Sequence, residues 1–277
     1  MTRPRTLDPA AITFDFGNTL VPVDRASLVR VVEATARAVS ERLGPFEFDA
    51  YLAAWHEERD RQFREEVPRF REVDLAERFV RLLARLRGMA PPPADQPWDQ
   101  AAAARSSEPA EIDWAVGAYG DAFVRLVPPP PFVGSLLERL AAGRLVAILS
   151  NWPHAAVIDR YVEVAGWAPH LAAIVVSQRV GAIKPHPAIF AAARSALGDP
   201  PPDAVLHVGD DWAADVVGAS AAGWRTAYLR RRPADSPLPS SERDGTVAPD
   251  LEIDALSDLP GLLAPAGSLD AEPSRPG

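Results

Sequence analysis

The feature that most restricts this chain is the segment Ala11–Leu20, AITFDFGNTL, an apolar run that carries one aspartate to its end and then breaks into Gly-Asn-Thr. A short run of Ile and Phe followed by turn residues predicts a buried parallel strand, Ile12 to Phe16. Its carboxyl end would open onto the crevice where open α/β sheets bind ligands. Asp15 then stands at that mouth. A carboxylate there must be hydrogen-bonded, paired or metal-bound, because burying it alone is costly. Asp15 either caps the next turn or acts on a ligand.

Beyond Leu20 the chain is helical for about a hundred residues. Residues 28, 31, 32, 35, 39 and 43, apolar apart from Thr35, keep the helical period and end at Gly44, and the stretches around Phe48–Glu66, Asp74–Arg87 and Glu111–Leu126 behave similarly. A proline-rich connector, APPPADQP, separates the third from the fourth, and the charged run EERDRQFREE from Glu57 reads as a solvated helix face. After VPPPPF the pattern changes. Strands are expected at Leu145–Leu149, Ile174–Val176, Val205–Val208, Thr226–Leu229 and Leu251–Ile253. Helices at Leu136–Ala142, His154–Val164, Ala188–Leu197, Ala213–Ala222 and near Leu256–Leu263 alternate with them. This is an α/β fold, a Rossmann-like parallel sheet core whose first strand is parted from the rest by an inserted all-helical cap. The expected division is residues 1–23 and 128–263 for the core and 24–127 for the cap, with 264–277 a disordered tail.

Composition removes several function classes. A net charge of −9 argues against nucleic acid or an anionic membrane as partner, since both call for a basic patch. With no cysteine, thiolate catalysis and Cys-ligated metal sites are excluded, which suits the cytoplasm. The N-terminal MTRPRTLDPA leads into no apolar stretch of the kind a secretory signal needs, and no run is long enough to span a membrane. Oligomeric state has no signature in the chain.

Three further strand ends carry candidate chemistry. LVAILSNW places Ser150 and Asn151 where a hydroxyl and backbone N–H groups can hold a phosphate oxygen, or where Ser simply caps a helix. GAIKPHPAIF holds Lys184 between a glycine and two prolines. Of 29 Lys plus Arg it is the sole lysine, a compact charge with three donors in a chain that writes Arg elsewhere. AVLHVGDDWAADVVGASAAG delivers Asp210 and Asp211, with Asp215 one turn on; carboxylates this close repel unless a cation compensates, and a hard divalent ion fits. Asp211 is read as a helix cap. The arginines of RRRPADSPLPSSERDGTVAP are read as a solvated loop and not as a phosphate site. Trp55, His56, Trp98, Trp114 and Tyr119 either line a pocket or fill the cap core.

Asp15 with Thr19, then Ser150, Lys184 and the Asp210/Asp215 pair, in this order, resemble the four motifs of the haloacid dehalogenase superfamily, and the helical insertion matches members whose cap lies between the first two. The resemblance covers Ile12–Leu263. It implies that Asp15 is the nucleophile that attacks phosphorus to form an aspartyl-phosphate, and that Mg²⁺ is held by Asp15, the Gly17 carbonyl and Asp210. Asp215 would hold a metal-bound water or Lys184. Thr19, Ser150, Asn151 and Lys184 would contact a small phosphorylated substrate. Most phosphatases of the superfamily carry a second aspartate two residues after the nucleophile. Here that position is Gly17, and Asp24 is the one nearby acid that could substitute, otherwise a hinge residue. The gap admits two alternatives: a metal-independent 2-haloacid dehalogenase, whose relatives also lack the second aspartate but do not keep the acidic pair as a Mg²⁺ site, and a non-catalytic binding protein.

Overall fold

The computed structural model describes residues 6–93 and 95–265. Its centre is a six-stranded, wholly parallel sheet: β1 (Ala11–Phe14), β2 (Leu145–Ser150), β3 (Ala173–Val176), β4 (Val205–Gly209), β5 (Arg225–Leu229) and β6 (Leu251–Ile253), in the order β3-β2-β1-β4-β5-β6. β1 is buried along its whole length, as its unbroken apolar run requires of a strand covered on both faces. It ends one residue short of Asp15, not at Phe16. There the chain leaves the ladder and turns, with Asn18 at φ +60°, a left-handed conformation that Asn tolerates.

Helices α1 (Arg25–Leu43), α2 (Phe48–Glu66), α3 (Leu75–Leu86), α4 (Gln100–Ala104) and α5 (Pro109–Leu126) all lie between β1 and β2. α1 packs on α5 and α2 on α3. Their starts follow local chemistry: Asp24, Asp74 and Asp99 each accept a backbone N–H from the first turn. The run from Glu57 is not simply a solvated face. Glu58 and Gln62 are buried because α3 lies across them and supplies Arg85 and Arg78 as partners.

Helices α6 (Val133–Ala141), α7 (Ala155–Val164), α8 (Ser177–Val180) and α9 (Pro187–Ala196) connect the sheet. Two expected helices differ in kind. Residues Trp212–Val217 form one wide turn, in which the Val216 N–H reaches back to Asp211 O at 3.4 Å, and α10 (Gly218–Ala221) continues it. Leu256–Leu262 is a tight 3₁₀ turn with Pro260 inside. Of the expected tail, 266–277 lies outside the described residues, while the Ala264 N–H donates to Leu7 O at 2.8 Å, tying the two ends of the core together.

Candidate active site

β1 and β4 are neighbours where the strand order reverses, so the chain leaving each strand faces a common crevice. β1 delivers Asp15 and β4 delivers Asp210. The wide turn then folds Asp215 back beneath the end of β4, a path open only because residue 209 is glycine: a Cβ there would sit 2.1 Å from the Asp215 carboxyl carbon. Carboxylate oxygens of Asp15, Asp210 and Asp215 consequently all lie within 4.8 Å of one another.

Lys184 is the cation among them. Its ammonium, almost wholly buried, donates to Asp15 Oδ1 at 2.8 Å, Asp215 Oδ1 at 2.6 Å and Leu149 O at 2.9 Å, which uses all three of its protons. A guanidinium could not meet three acceptors so disposed around one point. Asn151 sets this geometry, since its side chain accepts from the Lys184 N–H at 2.7 Å and donates to the Lys184 carbonyl at 3.1 Å.

The remaining residues of the motifs are found around this pair. Thr19 donates to Asp210 Oδ1 at 3.0 Å, the Ser150 hydroxyl adjoins Asp15, and Asp211 caps the wide turn through Ala214 N at 2.7 Å. Gly17 lies beneath a segment of the loop after β5. A Cβ at 17 would meet Leu238 Cδ1 at 2.6 Å and Trp152 at 3.2 Å. The place where a second aspartate would stand is thus backed by apolar side chains. Asp24 does not stand in for it: its carboxylate caps α1 on Ser27 N at 2.6 Å, and that bond holds its pKa below the usual range.

Several participants escaped the reading from sequence. His207 lies inside β4, with Nδ1 2.8 Å from Thr13 Oγ1 and Nε2 3.0 Å from Asp215 Oδ1. A histidine within an apolar strand was its one signal, because a buried ring needs partners. The loop after β5 is not merely solvated either. Arg230 and Arg231 pair outward with Asp254, but Arg232 turns in to 3.3 Å from Asp210 Oδ2, and Ser241 bonds Asp211. From the cap, Glu72 accepts from the Ser177 hydroxyl, linking the two parts of the molecule.

Electrostatically the site carries a surplus of carboxylate. Burial, with the charge of Asp215 added, pushes Asp15 up to about 6 against the pull of Lys184. Burial and the neighbouring Asp15 and Asp215 push Asp210 up to about 8. Burial would raise Asp215 as well, but Lys184 and His207 outweigh it and hold its carboxyl well below the usual range. Both Asp215 oxygens accept hydrogen bonds, from Lys184, His207 and the Asp211 N–H, whereas Asp15 accepts from Lys184 on Oδ1 and Asp210 from Thr19 on Oδ1, with Asp210 Oδ2 facing Arg232 at 3.3 Å. Two hard oxygen donors with room for water and a ligand are what Mg²⁺ takes, so the residues present fit that ion.

The crevice opens into a cavity of about 440 Å³ whose far wall belongs to the cap, with Leu52, Trp55, His56, Arg78 and Tyr119 among its lining residues. Trp98 and Trp114 lie elsewhere, beneath arginines of the cap.

A family model described as haloacid dehalogenase-like hydrolase matches residues 9–223. The chain belongs to the haloacid dehalogenase-like hydrolases. It is 29% identical over 146 residues to the pyrimidine 5′-nucleotidase YjjG of Escherichia coli, a match covering 53% of this chain and 61% of the relative. With the glyceraldehyde 3-phosphate phosphatase of Methanopyrus kandleri it shares 32% over 156 residues, 55% of this chain and 64% of that protein. The matched part thus spans less than two thirds of either relative. In three dimensions it resembles a 2-haloacid dehalogenase from Pseudomonas syringae, with TM-score 0.62 and 22% identity over 92% of this chain and 97% of the other. It also resembles the magnesium-bound HAD-hydrolase YfnB of Bacillus subtilis, with TM-score 0.55 and 18% identity over 92% and 99%. At these identities the likeness concerns the fold.

Proposed function

We propose that this hydrolase is a Mg²⁺-dependent phosphatase acting on a small phosphorylated molecule, with Asp15 as nucleophile and residues 24–127 as the cap over its site. The observation that carries the reading is the carboxylate surplus: Asp15 and Asp215 share the buried Lys184 ammonium, Asp210 beside them has only Arg232 at 3.3 Å, and burial with their mutual repulsion pushes Asp15 and Asp210 up. A dehalogenase acting without metal has no use for such a surplus. The curated relatives, a nucleotidase and a phosphatase, support the same reading.

In the proposed reaction Asp15 attacks phosphorus, the bond from phosphorus to the leaving oxygen breaks, and water then cleaves the aspartyl-phosphate to return Asp15 and release phosphate. Lys184 holds Asp15 in position and offsets the repulsion between two anions; Asp215, anchored by His207 and the Asp211 N–H, keeps Lys184 in place. Bound Mg²⁺, held by Asp15 and Asp210, would supply further neutralisation of the transferred group. With no acid at Gly17, the departing oxygen takes its proton from water, which favours substrates with good leaving groups.

The test is hydrolysis of p-nitrophenyl phosphate with and without Mg²⁺, on the protein as it is and as Asp15→Asn. Mg²⁺-dependent turnover lost in the variant is expected. Halide release from a 2-haloacid without Mg²⁺, with no phosphatase activity, would overturn the proposal in favour of dehalogenation.

A further inference from the structure

Arg78 is out of keeping with its surroundings. It projects from α3 into the interior of the cap, is 4% exposed, and lines the same cavity as Asp15 and Lys184. Its Nε donates to Gln62 Oε1 at 2.9 Å, and the Gln62 amide is itself fixed by donating to Asp74 O at 2.6 Å. The guanidinium lies over the Trp55 ring, 4.9 Å from its centroid. One edge and one face of the group are therefore held.

Its terminal nitrogens are not. Among the described residues they have neither a hydrogen-bond partner nor an ion pair, and unlike the partnerless Nη1 of Arg81 they are not sealed in, so they look into the cavity. Glu72, in the same wall, is close enough for its charge to act on Arg78 but makes no ion pair with it, its carboxylate accepting from the Ser177 hydroxyl and the Val73 N–H. A buried, immobilised guanidinium with a free fork is costly to keep unless something occupies it. Leu52, Trp55, Tyr119 and Trp152 give the same cavity an apolar and aromatic wall, and its other cap cations are more exposed: Arg25, and Arg59, which is paired with Asp60 at 2.8 Å.

We propose that Arg78 binds a carboxylate at the non-phosphate end of the substrate, so that the preferred substrates are phosphomonoesters whose apolar body carries a carboxylate. The proposal rests on the phosphatase reading for the other end of that molecule. Arg78 is a specificity residue, and it acts on affinity whether or not turnover follows.

The test is calorimetry on the full chain with Mg²⁺ in the Asp15→Asn background, comparing phenyl phosphate with para-carboxyphenyl phosphate. The carboxylated ester is expected to bind about 10- to 100-fold more tightly, the range of a charge-assisted hydrogen bond to a buried group. Arg78→Gln should collapse that preference, and Arg78→Lys, which keeps the charge should the Gln variant not fold, should reduce it. Equal affinity for the two esters, or a preference that survives Arg78→Gln and disappears in Arg59→Gln, overturns the proposal. Hydrolysis of both esters by the protein with Asp15 intact separates the two readings. Turnover without carboxylate preference sinks the Arg78 site alone; a preference in binding without turnover sinks the phosphatase alone; neither binding nor turnover sinks both.

Discussion

Two charged clusters lie buried in this molecule, one in the cap and one in the core. In the cap, the fully buried Glu58 meets Arg61 Nε through one oxygen and Arg85 Nε through the other, both at 2.8 Å, and Arg61 continues to Glu77 at 2.7 Å. Each buried carboxylate oxygen has its own guanidinium. In the core, three carboxylates crowd together, Asp15 and Asp215 on Lys184 and Asp210 facing Arg232. The first arrangement is complete in itself and holds helices together. The second carries more carboxylate than the protein's own cations balance, which is consistent with a metal site.

The contrast can be broken experimentally. The largest effect is expected from Asp15→Asn, which should lower Mg²⁺-dependent phosphatase turnover by on the order of 10⁴-fold or more in steady-state assays. In the cap, Glu58→Gln should destabilise the protein by about 1–3 kcal/mol in urea denaturation, because Arg61 and Arg85 each lose a buried partner. In the core, removal of a charge should have the opposite sign: Asp210→Asn should stabilise the metal-free protein by about 1–2 kcal/mol near pH 8 and abolish the rise in melting temperature that Mg²⁺ produces. A loss of stability in Asp210→Asn would place the core cluster in the same class as that of the cap.

A pH series sharpens the same point. Asp15 and Asp210 are raised from 3.8 to about 6 and about 8 in the folded protein. A group raised on folding contributes stability below its unfolded value and loses it as pH climbs through its folded value. These two groups should therefore weaken the metal-free protein between about pH 4 and about pH 8; below about pH 6.5 the buried His207, held low by burial, opposes them, so the net loss is clearest from about pH 7 to about pH 8, where Asp215, held low, stays ionised and adds no slope. Mg²⁺ should restore what is lost, so its thermal shift should grow from about pH 5 to about pH 8. The smallest effect is steric: Gly17→Ala presses on Leu238 and should cost about 1 kcal/mol in thermal denaturation, relieved in the double variant with Leu238→Ala.

How much of the molecule was legible in the chain is a matter of locality. Asp15, Ser150, Lys184 and Asp210 each sit within a few residues of a strand end or a stiffened loop, so strand pattern and turn chemistry place them at one crevice mouth. The same locality marked out the inserted helices. Arg232, Leu238 and Glu72 come from segments without periodicity, and nothing in their own neighbourhood marks a group that turns inward. Arg78 was hidden differently: its helix was evident, but one arginine among the several of α3 reveals its burial only when α2 is laid across it. Asn151 was singled out for its backbone, whereas its side chain proves to hold the lysine loop.

β1 stands in the middle of the sheet, flanked by β2 and β4, yet its partner β2 begins only at Leu145, beyond the whole cap. The central strand therefore cannot pair until a very long stretch of chain has been gathered in, a kinetic burden for any fold with distant contacts. The cap relieves it. α1 and α5, its first and last helices, pack on each other, so once the helical insertion has formed it brings Phe14 and Leu145 within reach as a short closure would. The helical insertion thereby also assists the sheet's assembly, and variants that loosen the α1–α5 contact should slow refolding before they alter the finished structure.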